Sequence, residues 1–297
     1  IASCLVGSEM CIRDRTLAAL AGGAAIGAAV MVWGGVYDVA SNVQHTQPVY
    51  SLLETAMRQS VRWRARGIEA PPLGDARQLQ QGAACYRARC VQCHGAPGVA
   101  QDDIGKSMQP LPGPLVDARQ RWSARELYWL TRNGIKMSGM PAWEYRLSDQ
   151  ELWAVVAFVE RLPDMTPQAY AQATAFEPVP GTSRSGATGT AIGCNALAAQ
   201  PATRPGDALR GRTALTQYAC NACHAIPGVT SSHPHVGTPL AGIGGRGLIA
   251  GRLANTPENM VRWLRHTREV DPLTAMPEMG VTEQDARDIA AYLGTLD

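Results

Sequence analysis

The stretch Cys90-Val91-Gln92-Cys93-His94 decides how this sequence is interpreted, and its pattern recurs as Cys220-Asn221-Ala222-Cys223-His224. Each copy follows a predicted helix and precedes a long loop rich in glycine and proline. A second helical pattern, a Met-Pro pair and a last amphipathic pattern complete both copies. The sequence therefore predicts an all-α protein with two tandem domains, residues 75–163 and 205–297. Two domains are also what a chain of 297 residues would be expected to form.

The spacing of the two cysteines and the histidine suits covalent attachment of haem. Cysteines three positions apart on a helical turn point their sulfurs to nearly one side, where they can form thioether bonds to the two vinyl groups. The histidine directly after them is then carried under the iron as an axial ligand. We predict two covalent haem c groups. The residues are Cys90, Cys93 and His94 in the first domain and Cys220, Cys223 and His224 in the second.

Two other kinds of site use paired cysteines. A structural zinc site needs four closely gathered ligands, and neither motif has a second Cys-x-x-Cys at finger-like spacing. A thioredoxin-like redox pair needs a βαβ context, which the helical pattern does not offer. Both alternatives are disfavoured.

The second axial ligand is expected beyond the loop, in the Met-Pro pair. Met140 and Met276 each precede a proline, which stiffens the loop that would hold a thioether toward iron. A Met/His pair of ligands favours ferrous iron and raises the reduction potential, as suits an electron carrier. Met137 and Met279 lie three residues from these methionines and remain alternatives.

Both halves resemble class I cytochrome c domains, on Gly139-Met140-Pro141-Ala142-Trp143 in the first and Ala290-Ala291-Tyr292-Leu293 in the second. The resemblance implies a compact helical fold around haem. Gly237-Thr238-Pro239-Leu240 resembles the segment whose proline carbonyl accepts a hydrogen bond from the axial histidine, which implies that role for Pro239. The comparable stretch of the first domain holds three prolines, so its counterpart stays open. They are Pro110, Pro112 and Pro114.

The N-terminal part of the chain predicts a membrane anchor. Residues 16–37 carry no charge, and a helix of that length spans about 33 Å, enough for a hydrocarbon core. The apolar region of a cleaved signal peptide, the alternative, is usually shorter. Residues 1–15 resemble the in-frame translation of a transposase sequencing adapter, and we exclude them from the predicted fold.

Residues 38–74 follow the span as a basic juxtamembrane segment. Leu53, Met57 and Val61 recur every four residues, which predicts an amphipathic helix. Its basic residues are Arg58, Arg62, Arg64 and Arg66. Such a helix suits anionic headgroups or a partner subunit, and the sequence does not separate the two.

Residues 164–204, between the domains, are dominated by Pro, Ala, Gly, Ser and Thr, the composition of a linker. Cys194 lies in this segment, Cys85 lies in the first domain, and neither is used by a haem motif. An unused pair outside the cytoplasm can form a disulfide, but nothing in the sequence defines the distance between these two.

Composition and motifs narrow the function classes. A formal net charge of +2 and the lack of a basic, aromatic-rich pattern argue against nucleic acid. No nucleophile–base pair or phosphate loop stands out, and six-coordinate iron leaves no open position for a substrate. We therefore expect an electron carrier rather than an enzyme. A dihaem peroxidase needs one iron with an exchangeable or missing sixth ligand, and is the least favoured alternative.

The resemblance implies a periplasm-facing dihaem carrier of a bacterial respiratory chain, held at the inner membrane by its N-terminal helix. Asn255-Thr256-Pro257-Glu258-Asn259 and the Met276-Pro277 loop resemble cytochrome domains associated with haem–copper terminal oxidases. We expect a donor to such an oxidase, or one of its subunits. The alternative is the cytochrome subunit of a periplasmic dehydrogenase, and both readings rest on analogy of fold.

Overall fold

The computed structural model describes residues 2–175, 194, 204–231 and 236–297, without the side chains of residues 2–11. The chain divides into two compact units, residues 1–199 and 200–297. Much of the predicted linker, residues 176–193 and 195–203, lies outside the described residues.

Helix α1 (Ala2–Trp33) begins earlier and ends four residues sooner than the predicted span of 16–37. Its stretch Ile12–Trp33 is long and apolar enough to cross a membrane, a property that signal sequences share. The helix ends at a pair of glycines, where Gly35 takes a left-handed φ of 64°. The adapter-like origin of residues 1–15 stays a prediction.

The predicted amphipathic helix is α2 (Gln47–Ala65), which carries a proline in its first turn. Val61 and Ala65 are buried, and this face of α2 packs against helix α7 (Ala124–Asn133) of the first unit. Arg58 pairs with Glu54 at 2.8 Å one turn away. Helix α2 is thus part of the first domain's packing.

The first domain is built on two crossing helices, α3 (Ala76–Arg89) and α8 (Asp149–Arg161). They approach so closely that a Cβ on Gly82 would lie 2.0 Å from the Ala154 carbonyl oxygen. The shorter helices between them are α4 (Val91–His94), α5 (Asp103–Lys106), α6 (Ala118–Arg121), α7 and a 3-10 turn (Trp143–Tyr145).

The first domain continues past its predicted end at residue 163. A 3-10 turn (Leu162–Asp164) leads into α9 (Pro167–Thr174), which the sequence composition assigned to the linker. Tyr170 of α9 packs its ring against Tyr86 and Phe158, at centroid distances of 6.4 and 6.3 Å. Thr174 of the same helix is also buried, so α9 belongs to the core despite the linker-like composition around it.

A disulfide joins Cys85 to Cys194, with their Cα atoms 4.7 Å apart. Both residues are buried in the core of the first unit. The pairing that the sequence left open therefore ties the segment after α9 back to α3.

The second domain repeats the plan with α10 (Ala208–Gln217) crossing α13 (Glu283–Leu293). A Cβ on Gly211 would lie 1.9 Å from the Asp288 carbonyl oxygen, so this crossing is as close as the first. Between them lie a 3-10 turn (Cys220–Ala222) and helices α11 (Pro257–Arg265) and α12 (Thr267–Val270). Two short strands, β1 (Leu248–Ile249) and β2 (Leu253–Ala254), pair antiparallel with Leu248 opposite Ala254.

Candidate functional site

The two Cys-x-x-Cys-His motifs adopt the same tight turn. In the first domain the His94 amide donates to the Cys90 carbonyl at 2.9 Å, and Cys93 donates to the same oxygen at 3.1 Å. The equivalent distances in the second domain are 2.9 and 3.2 Å. None of the four motif cysteines forms a disulfide. Each turn therefore presents two free thiols and an imidazole from five consecutive residues.

The orientation of each imidazole is set by a backbone carbonyl. His94 Nδ1 lies 2.7 Å from the Gly113 oxygen, and His224 Nδ1 lies 2.7 Å from the Thr238 oxygen. A ring that donates Nδ1–H to a carbonyl keeps Nε2 unprotonated and available to a metal. The same arrangement in both domains is what an axial histidine requires.

The assignment of Pro239 as the acceptor was wrong by one residue. Its carbonyl accepts from Arg246 at 2.8 Å, and Thr238 accepts from the histidine instead. The backbone path explains the difference. The Gly237 amide donates to the Cys223 carbonyl at 2.8 Å, and a Cβ on Gly237 would lie 2.6 Å from Cε1 of His224. The chain thus runs against the imidazole at Gly237 and Thr238, before it reaches the proline.

The first domain follows the same rule, which resolves the choice among its three prolines. The acceptor Gly113 directly precedes Pro114, as Thr238 precedes Pro239. Gln101, which the sequence analysis missed, secures this loop: its Nε2 donates to the carbonyls of Cys93 at 2.6 Å and Pro112 at 2.5 Å. A glutamine in a loop has no sequence signal for such a role.

Burial sets the protonation of these groups. Desolvation lowers the pKa of His94, despite the opposing hydrogen bond to Gly113, and so favours the neutral imidazole that a metal ligand must be. Burial also raises the pKa of the Cys90 thiol to about 12 and raises those of Cys93 and Cys220. Reactive redox cysteines have lowered pKa values, so the thioredoxin-like alternative is disfavoured on this ground as well.

A zinc site is disfavoured by where potential ligands gather. Among the described residues, the one group of three such side chains within 4.8 Å is Cys85, Glu151 and Cys194. Its two sulfurs are joined in the disulfide, and Glu151 accepts from the Ser148 amide at 2.8 Å as a helix cap. The haem motifs take no part in it.

The methionine side chains divide into outward and inward positions. Met137 is 94% exposed and Met279 is 43% exposed, whereas Met140 and Met276 are half-buried. Met276 packs against the core of the second unit. This placement favours Met140 and Met276 over their neighbours, although their role as ligands stays a prediction.

Met108 is a further methionine at this loop, and the sequence analysis did not single it out. A Cβ on Gly139 would lie 2.5 Å from its sulfur, so Met108 packs directly on the residue before Met140. A side chain at position 139 would require the flexible Met108 side chain to shift.

The donor set fits haem c. Each domain has two uncommitted thiols in one turn, an imidazole whose Nδ1 is already held by a carbonyl, and a half-buried thioether from a distant loop. Thiols suit vinyl addition, and nitrogen and sulfur suit the two axial positions of haem iron.

Comparison with known proteins agrees with this chemistry. A family model described as "Cytochrome C oxidase, cbb3-type, subunit III" matches residues 77–159, and one described as "Cytochrome c" matches residues 208–297. A cytochrome c oxidase subunit 2 from Alkalihalophilus pseudofirmus is 31% identical over 88 residues, which is 29% of this chain. The matched part spans 25% of that relative's length. The chain therefore contains two helical cytochrome c domains, a type of domain that binds haem c covalently and transfers electrons.

Proposed function

We propose that the chain is a dihaem electron-transfer cytochrome, with one haem c in each domain. The observation that carries this proposal is the paired geometry of His94 and His224, each held at Nδ1 by a carbonyl 2.7 Å away. Two domains with the same histidine arrangement beside the same pair of free thiols favour two haems over one.

In each domain, different residues would attach the haem and bind its iron. The haem supplies an iron that accepts and releases one electron. Cys90 and Cys93, and their counterparts in the second domain, anchor the macrocycle, while the carbonyl-bound histidines present Nε2 and gain basicity from the hydrogen bond. Met140 and Met276 would supply the thioether ligands, which would raise the potential and leave no open position for a substrate. This closure disfavours a peroxidase.

We further propose that α1 is retained as an anchor in the inner membrane, with both haem domains in the periplasm. None of its apolar stretch Ile12–Trp33 is buried inside the protein, so this stretch is free to contact lipid. Residues 34–46 join α1 to α2, and an extended chain of that length reaches at most about 45 Å. The first haem would stay near membrane partners, which raises its effective concentration toward them.

The outward side of α2 is proposed to rest on anionic lipid. Leu52, Ala56 and Trp63 share the side opposite the buried Val61, and Leu52 and Trp63 are 69% and 62% exposed. Arg62 and Arg64 are exposed on the same helix, and Arg66, which directly follows it, places its guanidinium 3.4 Å from the centre of the Trp63 ring. Exposed apolar side chains beside exposed basic ones match a helix that lies in a bilayer interface.

The proposed partner is a haem–copper terminal oxidase, to which the chain is a donor or a subunit. The first domain's match to the cbb3-type oxidase subunit III family and the similarity to an oxidase subunit 2 support this choice. The cytochrome subunit of a periplasmic dehydrogenase remains the second candidate, because two haems suit either assignment.

The test is to solubilise the protein gently from its native membrane and record reduced-minus-oxidised spectra of what co-purifies. We expect haem a or haem b bands together with oxygen uptake that depends on the c haems. A co-purifying flavin or quinone cofactor, with substrate reducing the c haems, would transfer the assignment to a dehydrogenase.

A further inference from the structure

The Met-Pro loops of the two domains share a feature that their sequences only hint at. Ser138-Gly139-Met140-Pro141 and Thr274-Ala275-Met276-Pro277 both place a hydroxyl residue two positions before the methionine. In each, that hydroxyl accepts a hydrogen bond from the methionine's own amide. Met140 N–H donates to Ser138 Oγ at 3.2 Å, and Met276 N–H donates to Thr274 Oγ1 at 3.2 Å. The methionine amide is therefore satisfied locally in both domains.

The methionine carbonyl is held as well, by the residue two positions after the preceding helix. In the first domain, α7 ends at Asn133 and the amide of Ile135 donates to the Met140 carbonyl at 3.2 Å. In the second, α11 ends at Arg265 and the hydroxyl of Thr267 donates to the Met276 carbonyl at 3.1 Å. The two domains use a backbone group and a side-chain group at matching positions.

A glycine explains why the donors differ. Gly134 lets the first loop approach so closely that a Cβ there would lie 2.5 Å from the Met140 carbonyl oxygen, and the next amide reaches it directly. His266 stands in the matching position of the second domain. There the Thr267 hydroxyl, rather than a backbone amide, donates to the methionine carbonyl. Thr267 is fully buried, so its hydroxyl is placed where water cannot replace it.

Holding both peptide groups of Met276 has a consequence for its side chain. The residue before a proline is already restricted to extended backbone angles. With its N–H and its C=O also bonded, the direction of its Cα–Cβ bond is set, and only side-chain rotation remains. The thioether is thereby aimed before any ligand bond forms.

We propose that Thr267 is a positioning residue for the axial thioether of the second haem, with Thr274 and Ser138 serving the amides of the two methionines. This inference rests on the proposed function, and specifically on Met276 as the ligand. Loss of the Thr267 hydroxyl leaves the half-buried Met276 carbonyl without this donor and frees the loop, so the bond between Met276 and iron would weaken and the potential of the second haem would fall.

The test compares Thr267→Val, which keeps the shape and removes the hydroxyl, with Thr267→Ser, which keeps the hydroxyl. Full-length protein is titrated by spectroelectrochemistry while the sulfur-to-iron charge-transfer band of the ferric state is followed with rising pH. At a fixed applied potential, we expect Thr267→Val to lower the ferrous-to-ferric ratio of the second haem about tenfold. This corresponds to a reduction potential lower by about 59 mV for one electron. The band of that haem should be lost at lower pH, while the first domain's haem is unchanged.

Three outcomes separate the possibilities. Wild-type behaviour of Thr267→Val, or an equal effect of Thr267→Ser, would overturn the positioning role. A Met276→Ala variant that leaves both bands intact would instead show that Met276 is not the ligand. If Thr267→Val does not accumulate with two haems, Ser138→Ala tests the amide contact that the proposal assigns to the first domain, since it removes the hydroxyl that accepts from the Met140 amide. An unchanged potential and band of the first haem would then overturn the proposal.

Discussion

The Nδ1 atom of His224 lies 2.7 Å from the carbonyl oxygen of Thr238, and Gly237, the residue before it, packs against the same ring. One short segment therefore orients the histidine through a hydrogen bond and confines it by contact. The first domain makes the same hydrogen bond from His94 to Gly113. Since both acceptors directly precede a proline, the proline directs the loop and the preceding carbonyl meets the histidine.

Substituting Gly237 by alanine should disturb the second haem site. The added Cβ would lie 2.6 Å from Cε1 of His224, so the ring or the loop must move. We expect a lower haem content in the second domain, or a shifted potential, measured by the pyridine haemochrome assay and redox titration. Gly247→Ala is the matched control, because nothing lies within 4 Å of its added Cβ. Equal haem content and potential in both variants would refute the proposed contact.

Alanine at either helix crossing should destabilise its own domain. The added Cβ of Gly82→Ala would lie 2.0 Å from a carbonyl oxygen, and that of Gly211→Ala 1.9 Å from another. Overpacking of this kind costs about 1–3 kcal/mol or more. Thermal unfolding followed at the haem bands should show one transition lowered in each variant. Gly67→Ala, whose Cβ meets nothing within 4 Å, should leave both transitions in place.

Removing the disulfide should weaken the first domain alone. The bond between Cys85 and Cys194 closes a loop with a sequence separation of 109, and disulfides typically contribute about 2–4 kcal/mol. We expect the Cys85→Ala/Cys194→Ala variant to lose about that much in denaturant unfolding of the first domain. A reductant should lower the stability of the parent protein and leave the variant unchanged. Two free thiols in the unreduced parent, found by mass determination, would contradict the pairing.

Lipid contact by α2 can be tested on the full chain in nanodiscs that contain a photoactivatable anionic lipid. We expect labelling at Leu52 and Trp63 and none at the buried Val61. Substituting Arg62, Arg64 and Arg66 by glutamine should reduce this labelling strongly, because each contributes about 1 kcal/mol near an anionic surface. Labelling of α1 serves as the internal control. Wild-type protein labelled only in α1 would refute the bilayer contact and favour a protein partner.

Local patterns were enough to predict much of this fold and site. The haem motifs lie within five consecutive residues, so the type of chemistry follows from spacing alone. The repeated helical pattern and the uncharged stretch before it also depend on neighbours in sequence. Even there the boundaries differ, since α1 ends at Trp33, before the glycine pair.

Contacts between distant segments were beyond the sequence. Thr238 rather than Pro239 meets the histidine because the backbone path decides which carbonyl faces the ring. Gln101 and Thr267 have no sequence pattern that predicts their roles, because their hydrogen bonds join segments that meet only in the fold. Helix α9 was assigned to the linker because its contacts with the core, from Tyr170 and Thr174, follow no long periodic pattern.

The most direct measurement of the central claim is the intact mass of the purified chain, together with its haem content. Two haems bound covalently per chain, one lost in Cys90→Ala/Cys93→Ala and the other in Cys220→Ala/Cys223→Ala, is the predicted result. A chain whose mass shows no covalent haem, or whose four motif cysteines hold zinc instead, would contradict the account.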